Sequence, residues 1–408
     1  VESTGPALSI PAISERRLVY IVAAVQFVNV LEFVMVMPLG PDFALALDIP
    51  LSRIGVVGGS YTLAAAVSGV VASRFLDRFD RRSALAIAMF GLVTATALAG
   101  LATGMASLLA ARVLAGVFGG PASSLAIAAV ADVVPIERRG RALGTVMAAF
   151  SVASVLGVPA GLELAHALSW RAPFLAVALL GVLVTTLALF ALPPLRSHLA
   201  RARTGSSDAA LPPLLDRLAL LSLGNTFLVM FGVFLVVPNL ASFVQFNLGY
   251  PRDGLGFLYL VGGASSFVAM RIVGVLSDRY GSTPFVIVGT VLNLFALWTG
   301  FIDRRLAVPV LVVFVTFMLS GSVRMVPSAS LSSRVPHPER RAGFMSTQSS
   351  VQHTGSAIGA IVGAALLVAE PSGRLVDMEY VAGLALMSSL LVPLLAWRLE
   401  RGLLRRGT

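Results

Sequence analysis

Long apolar runs, broken by short clusters of arginine, glycine and proline, follow one another along the whole chain. They fall at about 18–40, 54–75, 84–104, 107–133, 140–165, 170–192, 217–247, 255–277, 284–302, 307–332, 342–369 and 380–398. Each is close to the length a helix needs to cross the roughly 30 Å hydrocarbon core of a bilayer, where only a helix or a closed barrel satisfies its own backbone. The pattern predicts an all-α membrane protein of twelve transmembrane helices. Six runs precede the one long polar stretch, Pro193 to Asp216, which carries two Pro-Pro pairs, a Gly-Ser-Ser turn and Arg196, Arg201 and Arg203. That stretch reads as a linker. The expected organisation is a six-helix bundle over 1–192, a cytoplasmic linker over 193–216 and a second six-helix bundle over 217–408.

The two halves echo each other. Asp77-Arg78-Phe79 returns as Asp278-Arg279-Tyr280, 201 residues on (278 − 77), and Glu137-Arg138-Arg139 returns as Glu339-Arg340-Arg341, 202 residues on (339 − 137). Both copies of the first pattern follow an apolar run, and two further runs separate it from the second. The duplication is therefore global, giving pseudo-symmetric bundles.

Composition agrees with a bilayer as solvent: 57% of residues are hydrophobic, 12% are charged and mean hydropathy is +0.89. A soluble two-domain enzyme is excluded. All thirty basic residues are arginine. With an even number of spans, 21 of them fall on the side of the termini and six on the other. The positive-inside rule then places both termini and the linker in the cytoplasm. The net charge of +10 is a topology signal with attraction to anionic membrane lipids, and implies no nucleic-acid partner. The residues up to Glu15 carry no pattern of a cleaved leader, so the first span is the expected targeting element.

Catalytic chemistry is hard to build from this chain. It has no cysteine and no lysine, so disulfides, thiol catalysis and a phosphate-binding Gly-Lys-Ser/Thr loop are excluded, and its four histidines have no metal-ligand spacing. No cofactor, metal or enzymatic activity is expected. The remaining energy source is an ion gradient, worth roughly 2.3 kcal/mol per charge per 100 mV.

Charges inside the spans are the candidates for function, since each costs roughly 2.5–3.5 kcal/mol on insertion scales without a partner. They are Glu32, Arg112, Arg271 and Arg324. Gln26, Asn29 and Glu32 recur at helical spacing and form one polar stripe on the first helix. Glu32 is the expected proton carrier. Asp42, after Pro38 and Pro41 near the outer end of that span, is a second candidate for coupling, facing either a central cavity or the exterior. Arg271 is placed where its side chain could snorkel towards the cytoplasm. Arg324 has no counterpart in the first half and is a candidate substrate or counter-charge group. Asn225, Asn239, Asn293, Gln348, Gln352 and His353 supply neutral polar groups, with Phe227, Phe231 and Phe234 nearby. The expected substrate cavity is lined by Gln26, Asn29, Asn225, Phe231, Asn239, Arg324, Gln348 and Gln352. Gly355, Gly359 and Gly363 give the eleventh helix a smooth face along which a neighbour could slide.

Twelve helices in two halves, with Asp77-Arg78-x-x-Arg81-Arg82 after the second, resemble the major facilitator superfamily over essentially the whole chain. Leu31-Glu32-Phe33 running into Met37-Pro38-Leu39-Gly40-Pro41, Arg112-x-x-x-Gly116, Gly157-Val158-Pro159-Ala160-Gly161 and Trp170-Arg171-Ala172-Pro173-Phe174 are similar to its bacterial drug/proton antiporter branch. The branch also has sugar and purine efflux relatives. The resemblance implies a gating charge cluster of Asp77, Arg78, Arg81, Arg82 and Asp132, echoed by Asp278 and Arg279. It implies a place for Arg112 beside the proton site, and a kinked fifth helix at Gly157, Pro159 and Gly161. Ser73 and Asp80 stand where that loop motif has glycine; Asp80 suits a left-handed turn and adds a negative charge. The expected activity is proton-coupled efflux of small lipophilic or drug-like molecules by a monomer in the bacterial inner membrane. The alternatives are sugar or purine efflux, or a receptor that binds without transporting.

Overall fold

A computed structural model describes residues 15–73, 79–195, 216–336 and 341–406. The helices are α1 (Glu15–Val36), α2 (Gly40–Ala46), α3 (Ile54–Ser73), α4 (Arg81–Gly100), α5 (Met105–Val133), α6 (Ile136–Val152), α7 (Val158–Ala167) and α8 (Arg171–Ala191). After the linker follow α9 (Arg217–Ser242), α10 (Leu255–Tyr280), α11 (Thr283–Leu297), α12 (Val310–Ser333), α13 (Arg341–Leu366) and α14 (Met378–Arg406). The α6–α7 pair is one continuous rod joined by a π-turn at Ala153–Gly157, so twelve long helical segments stand among the described residues.

Eleven of these segments are long and apolar enough to cross a membrane. The exception is α13, whose first four turns carry Thr347, Gln348, Gln352, His353 and Thr354. Its polarity is tolerated because α13 is wedged between α9 of its own half and α3 of the other. Two boundaries differ from the apolar pattern. The first run ends at Val36, and Pro41 sits in the first turn of the separate helix α2, where its missing N–H costs nothing. The eleventh ends at Leu366 and is followed by a two-residue antiparallel pairing of β1 (Val368–Ala369) with β2 (Leu375–Val376). Asn247 holds that hairpin through Leu375, at 2.8 and 2.9 Å.

Both chain ends lie on one face. Arg138 at the start of α6 pairs with Glu15 at 3.0 Å, and Arg406 at the end of α14 pairs with Asp216, the N-cap of α9. Partial burial pushes the Asp216 carboxyl upward, but the hydrogen bond from Arg406 and the N–H of Ala219 outweigh it and hold it below the usual aspartate value.

The halves meet along α3 with α13 and along α7 with α10. Contact between them is concentrated at the face opposite the termini. A side chain at Gly55, in the first turn of α3, would lie 2.4 Å from the carbonyl oxygen of Ala360. There the apolar core runs without interruption from one half into the other, joining Phe43, Ile54 and Val57 to Leu235, Leu255 and Leu367. Towards the termini the second half keeps a separate core around Leu218, Val286, Leu331, Phe344 and Leu403.

Gly355, Gly359 and Gly363 form a smooth face that meets α9, where side chains would come within 2.9, 2.5 and 2.5 Å of the carbonyl oxygens of Phe227, Phe231 and Leu235. Gly359→Val should overpack this seam at a cost of about 1–3 kcal/mol and lower the thermal-unfolding midpoint in detergent micelles. Gly383→Ala, which faces open space, should leave that midpoint unchanged or slightly raised.

Candidate functional site

The polar stripe of α1 does not face the space between the halves. It faces α5, inside the first half. Gln26 donates to Ser123 at 3.1 Å, Asn29 donates to the Gly119 carbonyl at 3.1 Å, and Glu32 accepts from Arg112. Glu32 and Arg112 are each wholly buried, at 0% exposure. Bringing two charges into such surroundings is favourable only because each neutralises the other, and removing one partner would strand the second. The Arg112 guanidinium also lies over the ring of Tyr61 on α3, 4.6 Å from its centroid. Sequence reasoning passed over Tyr61. The available signal was one aromatic in a helix otherwise built mostly from Ala, Gly, Val and Ser.

Asp42 does not join Glu32. It lies on α2 and accepts two hydrogen bonds from Arg252, at 2.7 and 2.6 Å, forming a bidentate pair between the halves. Arg252 also donates to the Leu162 carbonyl at 3.3 Å, and His166 lies 3.2 Å from Asp253. These contacts clamp the ends of α2 and α7 to the loop before α10, on the face opposite the termini. Sequence reasoning missed Arg252 because a charge in a short polar loop carries no signal of its partner.

On the terminal face, Arg81 at the start of α4 pairs with Asp132 near the end of α5, as the family resemblance implies. Arg82 donates instead to the Leu192 carbonyl at 3.0 Å. Asp80 adopts no left-handed turn: with φ −59° it caps α4, accepting from Arg82 N–H, and takes a 2.7 Å bond from Leu195 N–H. This explains a carboxylate where the motif has glycine. Asp77 and Arg78 lie outside the described residues. Asp278 and Arg279 are exposed at the end of α10 and form no ion pair among the described residues; Arg279 lies over the Tyr280 ring, 5.3 Å from its centroid. The carboxylate that serves the second half is Glu400 of α14, which accepts from Ser282 and Thr283 N–H at 2.7 and 3.0 Å at the start of α11.

Most of the expected cavity residues are withdrawn into helix seams. Gln348 donates to Thr226 at 3.2 Å, tying α13 to α9. Asn225 and Asn239 are fully buried, and their amides have no hydrogen-bond partner among the described residues. Arg324, 1% exposed, donates to Ser389 of α14 at 3.0 Å and to the Ser320 carbonyl at 3.3 Å, in a network completed by Asn293. It belongs to the interior of the second half, between α11, α12 and α14. Arg271 stays exposed with its guanidinium over Phe267, 5.3 Å from the centroid.

Phe231, half-buried and stacked on Phe227 with centroids 5.9 Å apart, and Gln352, exposed, remain open. Gln352 and the exposed Ile361 are nine residues apart on α13, two and a half helical turns, so they point to opposite sides. On α1, Tyr20 is exposed and Phe27 and Val30 are half-buried, while the polar stripe is buried. Gly157, Pro159 and Gly161 form the junction of α6 and α7. Pro159 lacks the N–H that an α-turn requires, and the chain accommodates it with the preceding π-turn, closed by Val158 N–H on the Ala153 carbonyl.

This architecture and its paired charges are those of a membrane transporter. The Major Facilitator Superfamily model matches residues 22–224 and again 222–406, one match per half. The chain belongs to that superfamily, whose members are transporters and not enzymes. It is 29% identical over 370 residues to a chloramphenicol resistance protein of Streptomyces lividans, covering 88% of this chain and 90% of that one. It is 25% identical over 386 residues to the uncharacterised MFS-type transporter YbcL of Bacillus subtilis (strain 168), covering 92% and 95%. Among solved structures, a bacterial homologue of the human lysosomal transporter Spinster, in an inward-facing and occupied conformation, matches with a TM-score of 0.70 at 17% identity, covering 96% and 97%. The D-xylose-proton symporter matches with a TM-score of 0.71 at 18% identity, covering 93% and 96%.

The cross-half clamp makes a prediction that the absence of native cysteine keeps simple. Ser52, buried in the Leu51–Arg53 turn that packs against α9 and α13, should label slowly as Ser52→Cys with a water-soluble maleimide. Asp42→Asn should raise the labelling rate several-fold, since a partly buried bidentate pair contributes on the order of 1–3 kcal/mol. An equal rate in both backgrounds would show that the clamp does not hold the seam.

Proposed function

We propose that this protein is a proton-coupled efflux antiporter for small lipophilic or drug-like molecules, working by alternating access as a monomer in a bacterial inner membrane. In this reading both termini and the linker are cytoplasmic, 1–192 and 217–408 are the two rocking bundles, and the face opposite the termini is external. The observation that carries it is the Glu32–Arg112 pair, a carboxylate and guanidinium wholly buried within the first half beside the seam between halves. A proton delivered to Glu32 cancels its charge and leaves Arg112 without its counter-ion. The proton therefore changes which arrangement of α1, α3 and α5 is favourable, which is what coupling to a two-state equilibrium requires.

The seam supports an inward-open state. The continuous core and the Asp42–Arg252 clamp close the external side, while the second half keeps its own core towards the cytoplasm. Arg81 and Asp132, with Asp77, Arg78 and Arg82, serve as the cytoplasmic gating charges. The clamp at Asp42 is their external counterpart.

Lipophilic cargo is supported by the character of the side chains left uncovered. In this reading exposed Tyr20 and half-buried Phe27, Val30 and Phe231 meet the cargo, and exposed Gln352 supplies hydrogen bonds. The polar residues that a sugar would need are spent in seams within each half. Efflux of a drug is supported by the similarity to a chloramphenicol resistance protein. In proteoliposomes, an imposed pH gradient should drive chloramphenicol against its concentration, and Glu32→Gln should abolish this while the protein stays folded. Unchanged gradient-driven transport by Glu32→Gln would remove Glu32 from the mechanism.

A further inference from the structure

Tyr61 joins two systems that otherwise belong to different halves. Its ring lies beneath the Arg112 guanidinium, 4.6 Å from centroid to carbon. Its hydroxyl donates to Asn29 Oδ1 at 3.3 Å, and Asn29 is anchored in turn on the Gly119 carbonyl. The same ring stacks on Phe33, with centroids 5.2 Å apart and planes 24° from parallel. Phe33 then stacks on Phe234 of the second half, at 5.9 Å and 18°. An unbroken path therefore runs from Glu32 through Arg112, Tyr61 and Phe33 to Phe234. Neighbours on α1 divide the work: Glu32 turns to α5, and Phe33 turns to the opposite half.

We propose that Tyr61 is the positioning residue that transmits the charge state of the Glu32–Arg112 pair to the aromatic seam between the halves; this rests on the proton-coupled reading above. While Glu32 is ionised, Arg112 divides its attraction between the carboxylate and the face of Tyr61. Once Glu32 carries a proton, the ring becomes the chief compensating partner of the cation, and the two draw together. Any movement of that ring is felt by Phe33, which it stacks on, and so by Phe234. The hydroxyl bond to Asn29 keeps Tyr61 from following Arg112 freely and directs the displacement into the stack.

Among the described side chains no other ionisable group competes for this role. Those that α4, α6, α7 and α8 carry lie towards the ends of the helical rods packed on α1, at Arg81, Arg82, Arg138, Glu163, His166 and Arg171. From the second half, α9 has no ionisable residue after Arg217, and α13 brings His353. Arg112 and Tyr61 are the partners that face Glu32.

The test uses the full chain in lipid vesicles with Ser52→Cys as the reporter, so that no substrate has to be known. The maleimide labelling rate is measured from pH 5 to pH 8, corrected for the reactivity of a free thiol. A single coupled proton changes the open-to-closed ratio by up to about tenfold per pH unit. The expected result is a pH-dependent rate in the otherwise unaltered protein, a flat profile in Glu32→Gln, a flat profile in Tyr61→Leu and a retained profile in Tyr61→Phe, which keeps the ring on both faces. Phe234→Leu, which breaks the stack but leaves the first half packed, should flatten the profile too and guards against misfolding of Tyr61→Leu. If Glu32→Gln keeps the pH response, or the parent has none, the proton reading itself fails. If Glu32→Gln is flat while Tyr61→Leu and Phe234→Leu follow the parent, the relay through Tyr61 is overturned and the proton reading stands.

Discussion

A carboxylate and a guanidinium with no access to water set the terms for the rest of this molecule. Glu32 and Arg112 tolerate burial in the first half because each offsets the other, and α1, α3 and α5 are arranged around that need. Gln26 and Asn29 extend the same seam by bonding to α5, so the polar side of α1 is spent within one half. Beyond its charged first turn, what α1 leaves uncovered is apolar or aromatic. The buried pair and that uncovered side follow from one choice of helix rotation.

Among the described residues, the second half has no such buried pair. Arg324 is buried with hydroxyls, a carbonyl and the nearby Asn293 amide for company, in the interior between α11, α12 and α14. The duplication has therefore diverged in its buried polar groups while keeping its fold. The first half buries an ion pair, and the second buries a polar network that ties its helices together. The same asymmetry appears at the terminal face, where Arg81 and Asp132 pair in the first half and Glu400 caps α11 in the second.

The fold was legible in the chain because a bilayer leaves few options: runs of the right length must be helices, and repeated charge patterns mark the duplication. The eleventh segment was found from its apolar end, although its polar start takes it below the hydropathy of a lipid-spanning helix. The site was legible in part. Glu32 and Arg112 stood out because charge within an apolar run demands a partner. Their proximity, across 80 residues, was implied by the family resemblance, and the structure supplies the direct contact. Helical spacing identified the stripe of Gln26, Asn29 and Glu32, but periodicity gives only relative angles, so its direction could not be read. For the same reason Gln348 and Arg324 were expected in the cavity and sit in seams within the second half. Arg252 and Glu400 were missed because their partners are distant in sequence and nothing local distinguishes them, and Tyr61 because a lone aromatic in a small-residue helix does not name its partner.

The central claim is that the charge on Glu32 sets how far the two halves part at the terminal face. It is tested most directly by the distance between spin labels at Ser83→Cys on α4 and Leu404→Cys on α14, both exposed at that face, measured by double electron–electron resonance in vesicles at acidic and alkaline pH. The account predicts two distance populations whose proportions change with pH, and a single pH-independent proportion in Glu32→Gln. A distribution in Glu32→Gln that changes with pH as it does when Glu32 is present would contradict it.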